Sequence, residues 1–310
     1  MDKGLKKSDL TFSLGFLFTL VVAVGAFFYG MKIGAERMER VYEADRQARM
    51  AAAAAETAGE AYRQQDLVSF YHTVFLPYRE FAGEWLSVRH KLLIGETGDR
   101  AALLRELSRT AGRKYDEAYM AVIPPVSPLL IEARSHYLKS LQNFADSFSR
   151  LASKANDGGV TELLARVEAD DTFRQAVRNA QQGQRDYYAA MVQWAASLDP
   201  NIPGDYTPPD PLGFDEWNRL PLLVKFSVAA DYLAGREAVD EFLPQDLAAK
   251  TDNLVRSGQA SRMNLASFEE AADLLIGTEA VRSGDYLQLG PQLYSAKEIL
   301  PQLPFFSSGG

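Results

Sequence analysis

The chain contains no cysteine. Disulfide cross-links, thiolate nucleophiles and thiolate metal ligands are therefore excluded, as is a lipidated cysteine after the small residues Val24-Gly25-Ala26. Histidine is nearly as scarce: His72, His90 and His136 are the full set. Positive charge is also short. Lys and Arg total 33 against 41 Asp and Glu, for a net charge of −8 and a pI near 5.1, which argues against a basic face for nucleic acid. The sequence lacks His-Glu-x-x-His, Gly-x-Ser-x-Gly, the Walker A loop and Gly-x-Gly-x-x-Gly. No stretch alternates polar and apolar residues over a useful length, so β-strands are not expected and the fold class reads as all-α.

What the sequence does have is one long apolar run. Leu10 to Met31 carries no charge between Asp9 and Lys32. As a helix it measures about 33 Å, enough to cross a bilayer, and a helix satisfies its own backbone in lipid. Lys3, Lys6 and Lys7 in the 1–9 tail resemble the basic start of a signal peptide. The apolar run, however, continues through Phe27, Phe28 and Tyr29, past the usual 7–15 residues of a cleaved signal. The expectation is an uncleaved single-pass anchor that contacts the lipid bilayer through residues 10–31. Lys32, Arg37 and Arg40 nearly balance the N-terminal lysines. The short, lysine-dense tail favours an inside N-terminus and an extracytoplasmic C-terminal domain. Ala26, Gly30 and Gly34 form a small-residue stripe of the kind that packs paired membrane helices, although such residues are common in membrane spans generally.

Residues 32–65 contain no proline and include five alanines, Ala51 to Ala55, which predicts a helical stalk. Residues 66–198 predict an antiparallel four-helix bundle with coiled-coil-like seams. Leu67, Tyr71, Val74, Tyr78, Phe81, Trp85, Val88 and Leu92 alternate at spacings of four and three. Asp66 is a candidate cap, and Pro77 a kink or a new helix start. Asp99 caps a helix carrying Leu104, Leu107, Ala111, Tyr115, Ala118 and Val122, which Pro124-Pro125 ends. Ser127-Pro128 opens the next, with Leu130, Tyr137, Leu141, Phe144, Phe148, Leu151 and Ala155. After a short helix over 160–168, Asp170-Asp171 begins the last: Phe173, Val177, Ala180, Gln184, Tyr187, Met191, Trp194 and Leu198. Short turns make neighbours antiparallel.

Five prolines between 199 and 213 predict a linker. Beyond it, 214–310 reads as a small domain of short helices at 220–234, 244–256, 268–276 and 296–300, with capping boxes at Ser267/Glu270 and Ser295/Glu298. Residues 200–310 hold sixteen Asp/Glu and eight Lys/Arg, a net of −8, so the acidity concentrates there.

Candidate chemistry is thin. Glu132 and His136 are four apart and could share a helix face, but the Glu-x-x-His pairs of a bundle metal site are missing. Asp199, Asn201, Asp205 and Asp210 fail the EF-hand spacing and sit among turn residues. The aromatics Phe70, Tyr71, Phe75, Tyr78, Phe81 and Trp85 suit a bundle core better than a ligand pocket. No catalytic residue, cofactor or metal is assigned. The expected role is a membrane-anchored helical scaffold or interaction module of the cell envelope, engaging a protein partner or a second copy of itself. A ligand-binding sensory domain and a carboxylate-dependent hydrolase are the alternatives. A cleft with two shifted carboxylates would favour the hydrolase, an apolar cavity the sensor, and a flat apolar surface patch the scaffold.

Overall fold

The computed structural model describes residues 62–307, apart from Thr97 and Ala296. The expected span at 10–31 and the stalk through residue 61 lie outside the described residues. Among the described residues no helix is long and apolar enough to cross a membrane. The fold is all-helical, a helical bundle with shorter helices built onto one side, and the described residues contain no β-strand.

The first helix, α1 (Gln64–Phe70), starts two residues before Asp66. Arg63 holds the N-cap position in an extended conformation, so Gln64 and Gln65 belong to the bundle and Asp66 sits inside the first turn. There its charge faces the positive end of the helix dipole. A π-helical turn, Tyr71–Phe75, separates α1 from α2 (Leu76–Leu93). Pro77 explains the widening: it has no N–H for the carbonyl of Thr73, and its ring would crowd that carbonyl in a regular helix.

The remaining bundle helices follow the seams. α3 (Arg100–Tyr119) is capped by Asp99, whose carboxylate accepts the Ala102 N–H at 3.1 Å. α4 (Pro128–Ala152) opens with Ser127 at the N-cap and Pro128 in its first turn. After α5 (Val160–Ala169), α6 (Asp171–Leu198) is capped by Asp170, which accepts from Phe173 N–H and is tied back to α4 by Arg150 and Ser147. Pairings across the helices run in opposite directions. Lys114 meets Glu80, Ser108 meets the Ala145 carbonyl, and His136 meets Asp186 while Ser147 meets Asp170.

The interior is aromatic. Phe70, Phe75, Phe81, Tyr137, Phe144, Phe148 and Tyr187 are fully buried. The Trp85 ring lies 5.1 Å from Phe148 and 5.5 Å from Phe173. The expected aromatic series therefore fills a core, with Tyr71 at its partly exposed edge. Two seam residues do not: Val122 lies past the end of α3 and is 87% exposed, and Leu198, on the last turn of α6, is 59% exposed. Both sit where the helix has no further neighbour to cover it.

Beyond residue 198 come α7 (Phe214–Trp217), α8 (Leu222–Ala234), α9 (Pro244–Arg256), α10 (Gln259–Arg262), α11 (Phe268–Gly277) and α12 (Asp285–Leu293). Ser267 caps α11 through Glu270 N–H, while the Glu270 side chain reaches back to Ala266 N–H at 2.7 Å. The helix expected at 296–300 is not formed. The Ser295 hydroxyl accepts from Lys297 N–H in a local turn instead, which uses up the proposed cap. The helix that does form there, α12, lies earlier and carries Pro291 internally.

The described residues pack as one compact unit. The proline-rich segment 199–213 runs along the surface of that unit with Ile202 and Leu212 buried beneath it. Gln193 on α6 holds the Gly204 carbonyl, and Leu212 N–H meets the Glu269 carboxylate on α11. α8 lies against α6, with Arg185 paired to Asp231 at 2.8 Å. The C-terminal Phe305 returns to the bundle, 5.6 Å from Tyr71 and 5.8 Å from Phe75.

Candidate functional site

Two features stand out, one chemical and one of surface. The chemical one is a cleft of about 700 Å³ between α2, the loop 239–242 and the segment 276–283. Leu86 and Leu93 on α2, with Val239, Phe242, Ile276 and Val281 opposite, form its apolar lining; Arg89, His90, Glu241, Glu279 and Arg282 are its charged groups.

Asp240 also lines this cleft. The loop that carries it is held by Arg79, which donates to the Asp240 carbonyl at 3.2 Å and to the Glu241 carbonyl at 2.6 Å, and by Gln181, which donates to the Ala238 carbonyl at 2.8 Å. Arg79 thus spends its hydrogen bonds on the backbone. The Asp240 Oδ2 atom is buried without a hydrogen-bond partner in the protein. Burial pushes the Asp240 carboxyl up to about 6, against the opposing pull of Arg236, Arg79 and Gln181. Asp240 lines a void of about 10 Å³ together with Tyr78, Gln181 and Gln184. An acid in this range can exchange a proton near neutral pH or pair with a cation. Glu241 and Glu279 are the other carboxylates that line the cleft.

The sequence candidates fall elsewhere. His136 Nδ1 pairs with Asp186 Oδ2 at 2.8 Å across α4 and α6, while Glu132 points outward and is exposed. Burial raises the Asp186 carboxyl despite the His136 bond. His72 and His90 are exposed. Asp199 accepts from the Asn201 backbone and side chain and so closes a turn, while Asp205 accepts from Gln193 and ties the segment to α6. Asp210 precedes a cis proline, Pro211.

A second buried acid is fully occupied. Asp252 accepts from Trp217 Nε1 at 2.7 Å, from Lys225 Nζ at 2.8 Å and 3.1 Å, and from the Tyr294 hydroxyl at 2.8 Å. Lys225 also lies over the Trp217 ring, 5.2 Å from its centre. This is a structural tie between α7, α8, α9 and the chain after α12.

The surface feature is the connection between α3 and α4. From Ala118 to Ile131 there are fourteen residues without a charge. Tyr119, Met120, Val122, Val126 and Ile131 are exposed, Met120 by 78%. Arg134 fixes the start of this loop: it donates to the Ala118 and Tyr119 carbonyls and covers the Tyr119 ring at 5.5 Å. Tyr62, the first described residue, lies beside it, its hydroxyl accepting from Leu129 N–H at 3.5 Å.

Neither feature is singled out by the sequence. Asp240 sits in Ala-Val-Asp-Glu-Phe, where a surface acid and a buried one look alike. The loop reads, through Pro124-Pro125, as a helix stop, and the signal available is its long freedom from charge. Comparison with protein-family models, with curated proteins and with solved structures finds no match.

Proposed function

We propose that the protein is a single-pass, membrane-anchored interaction module of the cell envelope. In this reading residues 10–31 cross the bilayer, residues 32–61 lead outward, and an antiparallel four-helix bundle with its added helices is presented on the extracytoplasmic side. The contact surface is the loop from Tyr119 to Val126. The observation that carries the reading is this exposed, charge-free apolar surface beside Tyr62, the first described residue. Large exposed apolar patches on folded domains mark binding surfaces, because leaving them in water is costly. The Asp240 cleft gives the sensory alternative a specific observation of its own: a half-buried acid with one orphan oxygen, lining a cavity of ligand size.

The absence of cysteine makes a direct test simple. In native membranes, a single Val122→Cys label site should resist a water-soluble maleimide and become reactive once detergent disperses the membrane. Ser153→Cys, exposed just past the end of α4, should react equally in both. Equal reactivity of Val122→Cys in both conditions would remove the loop as a contact surface.

A further inference from the structure

We propose that a second cavity, beside α12, binds an organic cation: a quaternary ammonium group carried on an apolar body. The cavity measures about 520 Å³, within the range of small-molecule sites, and lies between α12 and the chain that follows it. Tyr286, Gly290 and Tyr294 line it from the helix, and Leu300 and Phe306 from the later chain. Tyr286, Gly290 and Tyr294 are spaced by four, so one face of α12 presents a ring, a gap and a ring. A Cβ at position 290 would stand 3.8 Å from the Tyr294 ring and 3.9 Å from the Tyr286 ring. Glycine leaves that space open.

The rings are held in place without a ligand. Tyr286 N–H donates to Asp246 Oδ1 at 3.0 Å and the Tyr294 hydroxyl to Asp252 Oδ2 at 2.8 Å, so both are tied to α9. Phe306 stacks on Phe226 of α8, 5.5 Å between ring centres. The planes of Tyr286 and Tyr294 differ by 27°, while Phe306 stands at 76° to Tyr286, with ring centres 5.9 Å apart in each pair. The cavity thus has aromatic walls in two steeply inclined planes, and fixed walls cost little ordering when a ligand enters.

Charge selects the ligand. Among the described residues, Glu298 is the one charged side chain that lines the cavity; Lys297, next to it in the chain, is exposed and not part of the lining. Burial, and then the nearby Glu298 charge, push the Tyr286 hydroxyl up to about 12, so it stays neutral. Residues 200–310 carry a net charge of −8, which adds an attractive field for cations. An anion would be repelled by Glu298. A primary ammonium brings three N–H groups to a wall with few acceptors. A quaternary ammonium has no N–H to satisfy, so aromatic walls and one carboxylate suffice.

Isothermal titration calorimetry of the purified full chain in a non-ionic detergent tests this, with benzyltrimethylammonium as the probe. Saturable binding with a Kd of about 1 mM or tighter is expected. Choline should displace the probe at least about fivefold more effectively than its uncharged isostere 3,3-dimethylbutanol. Glu298 and Ser307 are exposed lining residues. Glu298→Gln and Ser307→Arg should therefore leave the melting temperature unchanged and weaken probe binding at least about threefold. Absence of saturable heat up to about 10 mM probe would overturn the site. Equal displacement by choline and the alcohol would make it a plain apolar cavity and overturn the cation. Wild-type affinity in both variants would place the binding elsewhere and overturn the assignment.

Discussion

Asp240 and Asp252 show how one residue type takes opposite roles when buried. Asp252 has every lone pair directed at a donor, so removing it leaves Lys225 charged and buried without a partner. Asp252→Ala should cost about 3–5 kcal/mol, read as a large fall in denaturation midpoint. Asp240 has an orphan oxygen and a carboxyl raised to about 6 from 3.8. The folded chain therefore binds a proton that the unfolded chain has already released between about pH 4 and 6. Stability contributed by this group rises as pH falls through that window and is lost as pH climbs above it. Asp240→Asn should stabilise the protein at pH 7.5, by about 1–3 kcal/mol, and flatten the pH dependence of unfolding between 4 and 6. An unchanged pH profile in the variant would mean that the carboxyl is not shifted. Neither environment is written in the local sequence, because Lys225 and Asp252 are 27 residues apart and meet only through the packing of α8 on α9.

At the scale of the element, the sequence is most legible where packing is periodic. The seam residues of α2, α4 and α6 are almost all buried, since the 4,3 spacing puts them on one stripe whatever the partner. Caps at Asp99, Asp170 and Ser267 are legible because they are interactions within four residues. The exceptions lie at ends: Asp66, Val122, Leu198 and the unformed 296–300 helix all depend on where a neighbour stops. Trp85 and Trp194 belong to the legible part, 3% and 7% exposed. Trp85→Ala and Trp194→Ala should each cost about 3–5 kcal/mol through lost packing and the cavity left behind. Arg113, on the outer face of α3 with its side chain 60% exposed, should cost within about 0.5 kcal/mol when changed to alanine. Thermal unfolding of the three variants side by side checks the contrast.

For the whole molecule, the change of texture at residues 199–213 reads in sequence as a boundary, yet buried residues continue across it. Tyr188 on α6 hydrogen-bonds Gln245 on α9, and Phe305 closes over Tyr71 and Phe75. Such long-range pairs have no local signature, which is why the sequence does not display them. The expected consequence is one cooperative unfolding transition for the domain, followed by both tryptophan fluorescence and circular dichroism. Two separated transitions would mark 66–198 as an independent unit. In the proposed reading an anchor at 10–31 holds the helical domain outside the cell. Protease added to intact spheroplasts tests this most directly: the domain should be digested without lysis. Complete protection until the membrane is broken would contradict it.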